Sequence, residues 1–192
     1  RGQICTFNDD IQGTGAVGLA GLYSALRMTG VRLRDQRILF LGAGEAGIGI
    51  GDMICSALVA EGLSEKQARN RCWFVDSKGL VVKTRNDLTE YKLPYAHDHE
   101  HISDLLNDVT SLSSIVILGG SRQPKTFTQS VLETMAIYNQ RPIVFAMSNP
   151  TSKAECTAEE AYTWTQGRAI FATGSPFAPV TFNGTTYVPG QA

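Results

Sequence analysis

The run Arg37-Ile38-Leu39-Phe40-Leu41 breaks directly into Gly42-Ala43-Gly44-Glu45-Ala46-Gly47, and this junction constrains the fold more than any other feature of the chain. A short apolar run ending at glycine reads as a buried strand, and the residues from about Ala46 to Glu61 read as a helix. In a strand, glycine turn, helix unit the pattern Gly42-x-Gly44-x-x-Gly47 has a physical purpose. Its glycines permit a tight turn, let backbone N–H groups approach a pyrophosphate, and let the helix pack close to the strand. A second strand, Cys72-Trp73-Phe74-Val75-Asp76, ends in a carboxylate, as dinucleotide binding requires. Asp76 lies 29 residues beyond Gly47, where about 20 is usual. An enlarged connection from Glu61 to Arg71, with a helical turn over Ser64 to Arg71, takes up the excess.

Further apolar strands are expected at Ile115 to Leu118, Ile143 to Met147 and Ala169 to Ala172. They exit into Gly119-Gly120-Ser121, Ser148-Asn149-Pro150 and Thr173-Gly174-Ser175-Pro176. Helices are expected at Thr14 to Arg27, with Thr14 as N-cap and Gly30 as terminator, and around Thr128 to Asn139. Val17, Leu19, Ala20, Leu22, Ala25 and Leu26 fill much of the first helix, which should be well buried. Thr157-Ala158-Glu159-Glu160 reads as a capping box. Alternating strands and helices predict an α/β fold: a Rossmann-like doubly wound, mostly parallel sheet in three α/β/α layers. The whole of 1–192 is read as one NAD(P)-binding domain, with polar strand exits gathered at one edge of the sheet. Trp73, Phe74 and Phe145 read as core strand residues.

Composition removes other classes. Hydrophobic residues make up 43% and charged residues 18%, which excludes disorder. A net charge of -1 offers no basic face for nucleic acid, and the longest apolar runs fall far short of a bilayer span. Cys5, Cys55, Cys72 and Cys156 form no CxxC pair and no dense framework, so a reduced compartment is the expectation, cytoplasmic by default with mitochondrion and plastid open. An initial Arg1, and a terminus at Pro189-Gly190-Gln191-Ala192 without a closing element, suggest a piece of a longer protein. His97, His99 and His101 alternate in a charged stretch and read as a solvated surface cluster rather than a metal clip.

The choice of dinucleotide is left open by the residues. Asp76 suits the free 2′-hydroxyl of NAD and would repel a 2′-phosphate, whereas Ser77, Lys78, Lys83, Arg85 and Lys92 supply a hydroxyl and cations that could hold one. A second constellation, Phe7-Asn8-Asp9-Asp10-Ile11-Gln12-Gly13-Thr14, precedes the first helix. Adjacent carboxylates in an extended segment point opposite ways, so one could ligate a hard cation while the other tunes a neighbouring base. A turn or N-capping role for the pair is the plainer reading.

These blocks, with Val75-Asp76-Ser77-Lys78-Gly79-Leu80, Ser148-Asn149-Pro150-Thr151 and Gly174-Ser175-Pro176-Phe177, resemble in sequence and order the nucleotide-binding domain of malic enzyme. The resemblance implies an oxidoreductase that converts malate to pyruvate and CO2 while reducing NAD(P)+, assisted by Mg2+ or Mn2+. It implies Asp10 as a metal ligand, Asp9 beside the catalytic lysine, and Asn149 beside substrate and nicotinamide. It also implies Gly42, Gly44, Glu45, Ala46, Gly47, Asp76, Ser77 and Lys78 around the cofactor, with Lys92 on the 2′-phosphate, so NADP is favoured and NAD possible. Malate or pyruvate is the implied partner, with neither nucleic acid nor membrane, and the intact enzyme is expected to be a homo-oligomer. The family's upstream Glu-Asp metal ligands and its catalytic tyrosine and lysine are absent from this chain. The chain alone is therefore expected to bind cofactor without turnover. Ser121-Arg122-Gln123-Pro124-Lys125-Thr126-Phe127 departs from a Gly-rich stretch expected before the phenylalanine. The rival readings are a malolactic-type enzyme giving lactate and a non-catalytic dinucleotide-binding module.

Overall fold

A computed structural model describes residues 8–113 and 116–191. After a wide helical turn at Asp9–Gly13, the chain runs α1 (Thr14–Thr29), β1 (Ile38–Leu41), α2 (Glu45–Ala60), α3 (Glu65–Arg69), β2 (Cys72–Asp76) and β3 (Gly79–Leu80). It continues through α4 (Leu105–Leu112), β4 (Val116–Gly119), α5 (Gln129–Tyr138), β5 (Ile143–Ala146), α6 (Ala158–Trp164) and β6 (Ile170–Thr173). A hairpin, β7 (Val180–Phe182) and β8 (Thr185–Tyr187), and a short β9 (Gly190–Gln191) end it.

The main sheet has the order β3-β2-β1-β4-β5-β6-β9 and is parallel except for β3. Period-two alternation along fully buried strands sends successive side chains to opposite faces. Ile38 and Phe40 join a core with residues of α1, α2 and α3. Leu39 and Leu41 join the other core, with residues of α4, α5 and α6. The sheet is thus the middle of three layers, as expected.

Most elements lie where the periodicity placed them, with differences of local origin. β2 matches its expected bounds, while β4 starts at Val116; Ile115, the expected first residue, lies outside the described residues. Thr14 is the first helical residue of α1 and not its cap, because the preceding wide turn leads straight into the helix through Gly13; Asn8, capping that turn, accepts from the Ile11 N–H. Gly30 ends α1 at φ 73°, the left-handed conformation that glycine adopts without Cβ strain. α1 buries one stripe only, since Val17 and Met28 are 45% and 58% exposed. The long connection between β1 and β2 holds α3, opened by a Ser64/Gln67 capping box, and the Thr157/Glu160 box opens α6 as read from sequence.

Candidate functional site

The strand order reverses around β1: β2 lies on one side and β4 on the other, so the loops after β1 and β4 part company there. Ligands of open α/β sheets bind at such a switch point, beyond the carboxyl ends of the strands. Here the two loops touch. A Cβ on Gly42, whose φ is 123°, would come within 3.0 Å of the Gly120 backbone. Gly47 lies against the Gly42 carbonyl with no room for a Cβ, which draws α2 onto the end of β1. Gly44 caps α2, among the described residues no side chain bonds its first amides, and Gly44, Glu45 and Ala46 are exposed. The result is a bare helix amino terminus, with its positive dipole end and unpaired N–H groups open to an anion.

At the end of the neighbouring β2, Asp76 is already committed. Arg85 grips it with both nitrogens at 2.9 and 3.1 Å, and Lys92 Nζ approaches its second oxygen at 2.6 Å. Burial would raise the Asp76 carboxyl, but the Arg85 and Lys92 hydrogen bonds and the Lys78 N–H outweigh it and hold the group below the usual carboxylate range. Arg85 also binds Asp87, which Lys78 meets at 3.0 Å. Three cations against two carboxylates leave one positive charge at this strand end. The conflict between Asp76 and its cations seen in the sequence is resolved by pairing. Ser77 and Lys78 are exposed in the turn that follows. Lys83 is placed elsewhere: with Arg34, Arg37, Lys66 and Arg71 it lines a cleft of about 990 Å³ that includes the starts of β1 and β2. That cleft is a local basic face which the net charge concealed.

Asn149 is exposed on the loop after β5, and Ser148 beside it is anchored from below by a residue the sequence reading missed. Glu155 is fully buried; it accepts from the Ser148 hydroxyl at 2.5 Å and from the Ser148 N–H at 3.3 Å, and its carboxyl lies against Gly119. Burial raises its pKa, while the hydrogen bonds from Ser148 and the Ser121 backbone oppose the rise. One carboxylate therefore ties the exit of β4 to the exit of β5. The only sequence signal was an acidic residue inside the apolar stretch Ala154-Glu155-Cys156. Where glycines were expected beyond Gly120, Arg122 and Lys125 adopt φ 57° and 59°. The loop keeps the left-handed backbone that glycine favours while carrying side chains there.

The Asp9-Asp10 segment is helical rather than extended, so the opposite-pointing geometry expected of the pair does not apply. Gly18 of α1 faces Met147 and Gly21 faces Phe145, while Ile11 rests on Gly49 of α2. α1 therefore starts at the carboxyl edge of the sheet, and Asp9, exposed, lies at the same edge as the glycine loop and Asn149. The Asp10 side chain lies outside the described residues. His97 corrects the solvated-cluster reading: it is buried, stacks on Trp73 at 3.6 Å, and bonds the Cys72 carbonyl, and burial lowers its pKa. His99 is half-buried, edge-on to Trp73 and bonded to the Ser111 hydroxyl, so of the three only His101 is exposed as expected. Phe74 and Phe145 are core residues, and Trp73 is half-buried under His97.

The family described as malic enzyme, NAD binding domain, matches residues 11–192. The chain belongs to this family. It is 54% identical over 192 residues to the NADP-dependent malic enzyme of Rattus norvegicus, covering 100% of this chain and 34% of that protein. It is 53% identical over 188 residues to the chloroplastic NADP-dependent malic enzyme of Solanum lycopersicum, covering 97% of this chain and 33% of that protein. The chain thus spans about a third of the length of these malic enzymes. Among solved structures, the malic enzyme of Pyrococcus horikoshii Ot3 superposes with a TM-score of 0.70 at 26% identity, over 94% of this chain and 40% of that one. That of Entamoeba histolytica gives 0.72 at 24%, over 92% and 34%, a likeness of fold. Among the described residues no helix is long and apolar enough to cross a membrane.

Proposed function

We propose that this malic enzyme domain binds NADP and supplies the nucleotide half of an enzyme that oxidatively decarboxylates malate to pyruvate and CO2. The observation that carries the cofactor choice is the Asp76, Arg85, Lys92 cluster. A carboxylate already held by two cations repels a 2′-phosphate far less than a free one, and the excess positive charge favours it. Lys92, at the edge of the cluster, can turn from Asp76 to the phosphate, while bidentate Arg85 keeps Asp76 paired. The names of the relatives in tomato and rat, NADP-dependent malic enzymes, support the same reading.

The described residues fit the dinucleotide: a bare α2 terminus, a positive-φ Gly42, and no side chain filling the space above Gly44. Bound NADP+ would accept a hydride from the malate hydroxyl carbon. The chain's own contribution is to hold the pyrophosphate on residues 42–47, to seat the adenosine ribose at the end of β2, and to present the Asn149 amide to substrate and nicotinamide. The divalent cation is a different case, since no cluster of three or more metal-ligating side chains forms among the described residues. Hard cations take six or more oxygens, so Asp10 would need ligands from elsewhere in the polypeptide, and no step is routed through the metal. Asp9 is proposed to position the base supplied by that same remainder. The intact enzyme is proposed to be a homo-oligomer.

Calorimetric titration of the chain with NADP and NAD, followed by a malate and Mn2+ turnover assay on the same sample, tests this reading. NADP binding tighter than NAD, without turnover, is expected. Equal affinities would remove the cation argument, and turnover would place the full chemistry inside these residues.

A further inference from the structure

The cysteines that show no motif in the sequence are brought together in space. Cys55 lies on α2 and Cys72 opens β2, and their sulfur atoms are 3.9 Å apart. Cys55 lines a surface cleft of about 430 Å³ with Asp52, Ser56, Val59, Glu65 and Arg69, whereas Cys72 behind it has no exposed surface. The Tyr95 hydroxyl sits between Asp52 Oδ1, at 2.6 Å, and Cys55 Sγ, at 3.6 Å, so its one proton can serve either. The Arg69 guanidinium covers the Tyr95 ring at 5.3 Å and brings positive charge to the same corner.

We propose that Cys55 and Cys72 form a thiol pair that hydroperoxides oxidise to an intramolecular disulfide, with Cys55 as the attacking sulfur and Cys72 as the resolving one. The Cys55 thiolate attacks the distal peroxide oxygen, the O–O bond breaks, and the leaving oxygen departs as water or alcohol with the proton that Cys55 gave up. Cys55 is then a sulfenic acid. Cys72 sulfur attacks it, the S–O bond breaks, and a second water leaves with the Cys72 proton; two thiols have lost two electrons and the peroxide has gained them. The asymmetry of the pair follows from its surroundings. The Cys72 hydrogen bond, Tyr95 and Arg69 favour a Cys55 thiolate against burial and Asp52, and its pKa is lowered. Cys72, facing Cys55 and wholly buried, is pushed up and keeps its proton. Cys156, the other buried thiol of the described residues, has among them neither a facing thiol nor a cation, and burial raises it. A bridge here would fasten α2, which begins at the glycine loop, to β2, which ends at Asp76. The proposal stands on the thiol geometry and does not depend on which cofactor binds.

The test is treatment of the reduced chain with hydrogen peroxide, alkylation of remaining thiols, and peptide mapping by mass spectrometry under non-reducing conditions. The expected result is a monomer in which the Cys55 and Cys72 peptides are joined, two hydrogens lighter than their sum, forming about tenfold faster than any oxidation of Cys156. In Cys72→Ala the same treatment should leave a sulfenic acid on Cys55 that dimedone traps. Alkylatable Cys55 and Cys72 after Cys5 or Cys156 has been oxidised would overturn the proposal, as would sulfinic acid on Cys55 with Cys72 still free. The map of the unsubstituted chain decides by itself should the variant fail to fold.

Discussion

Two charged residues show how burial without and with partners leads to different behaviour. Asp108 on α4 has no exposed surface, neither carboxylate oxygen finds a partner among the described residues, and burial, aided by Asp104, pushes it up to about 7. A raised folded-state pKa makes the neutral acid the native form, so this contribution to stability is full below the unfolded value near 4 and is lost as pH rises through about 7. Asp108→Leu should therefore raise stability at pH 8 by roughly 1–3 kcal/mol, with the gain shrinking toward pH 4, read as thermal midpoints across that range. Asp76, by contrast, is paired on both oxygens. Lys92→Gln should weaken NADP about tenfold and leave NAD nearly unchanged, a difference calorimetry resolves. A uniform loss for both dinucleotides would show that Lys92 acts on the fold of the β2 end and not on the phosphate. Neither role was legible beforehand: Asp108 is one acidic letter in a helix, and the grip of Arg85 on Asp76 needs the turn at Ser77 and Lys78 to bring them together.

At the scale of elements, glycines separate packing from binding. Gly47→Ala would drive a Cβ into the Gly42 backbone carbonyl, which cannot swing aside as a flexible side chain would, so both the thermal midpoint and dinucleotide affinity should fall. Gly44→Ala meets nothing within 4 Å and φ is −80°, so the midpoint should hold while affinity drops, because the methyl enters space the pyrophosphate needs. Equal behaviour of the two variants in melting and titration would refute this division. Strands β1, β2 and β5 were readable from apolar runs closed by glycine or a polar residue, since burial on both faces leaves that mark. α4 was not, although Leu105, Val109 and Leu112 recur at helical spacing, because it is only about two turns long; the β7–β8 hairpin was not, because short strands with polar faces, such as Thr181 beside Thr186, carry no comparable alternation. The Asp9–Gly13 segment is the turn that the plainer reading of the Asp pair expected, and the extended alternative does not apply.

For the whole molecule, both hydrophobic cores are walled by the same strands, β1, β4 and β5 contributing alternate side chains to each. Neither core can dissolve without exposing the other's wall, so calorimetry should show one cooperative transition with a heat-capacity increment of about 2–3 kcal/mol/K. Two resolved transitions would mean that the α1–α3 and α4–α6 layers melt independently. The doubly wound order was legible from alternating elements, and the meeting of strand exits at one edge follows from it; the grip of Glu155 beneath two of those exits required coordinates. That grip has a further consequence. An amide proton leaves only when its hydrogen bond opens, so the Ser148 N–H, held by a fully buried carboxylate, should trade with deuterium at a pace set by the strands around it rather than by the loop that carries it. The residue next to Asn149 would keep the slow clock of the protein's interior.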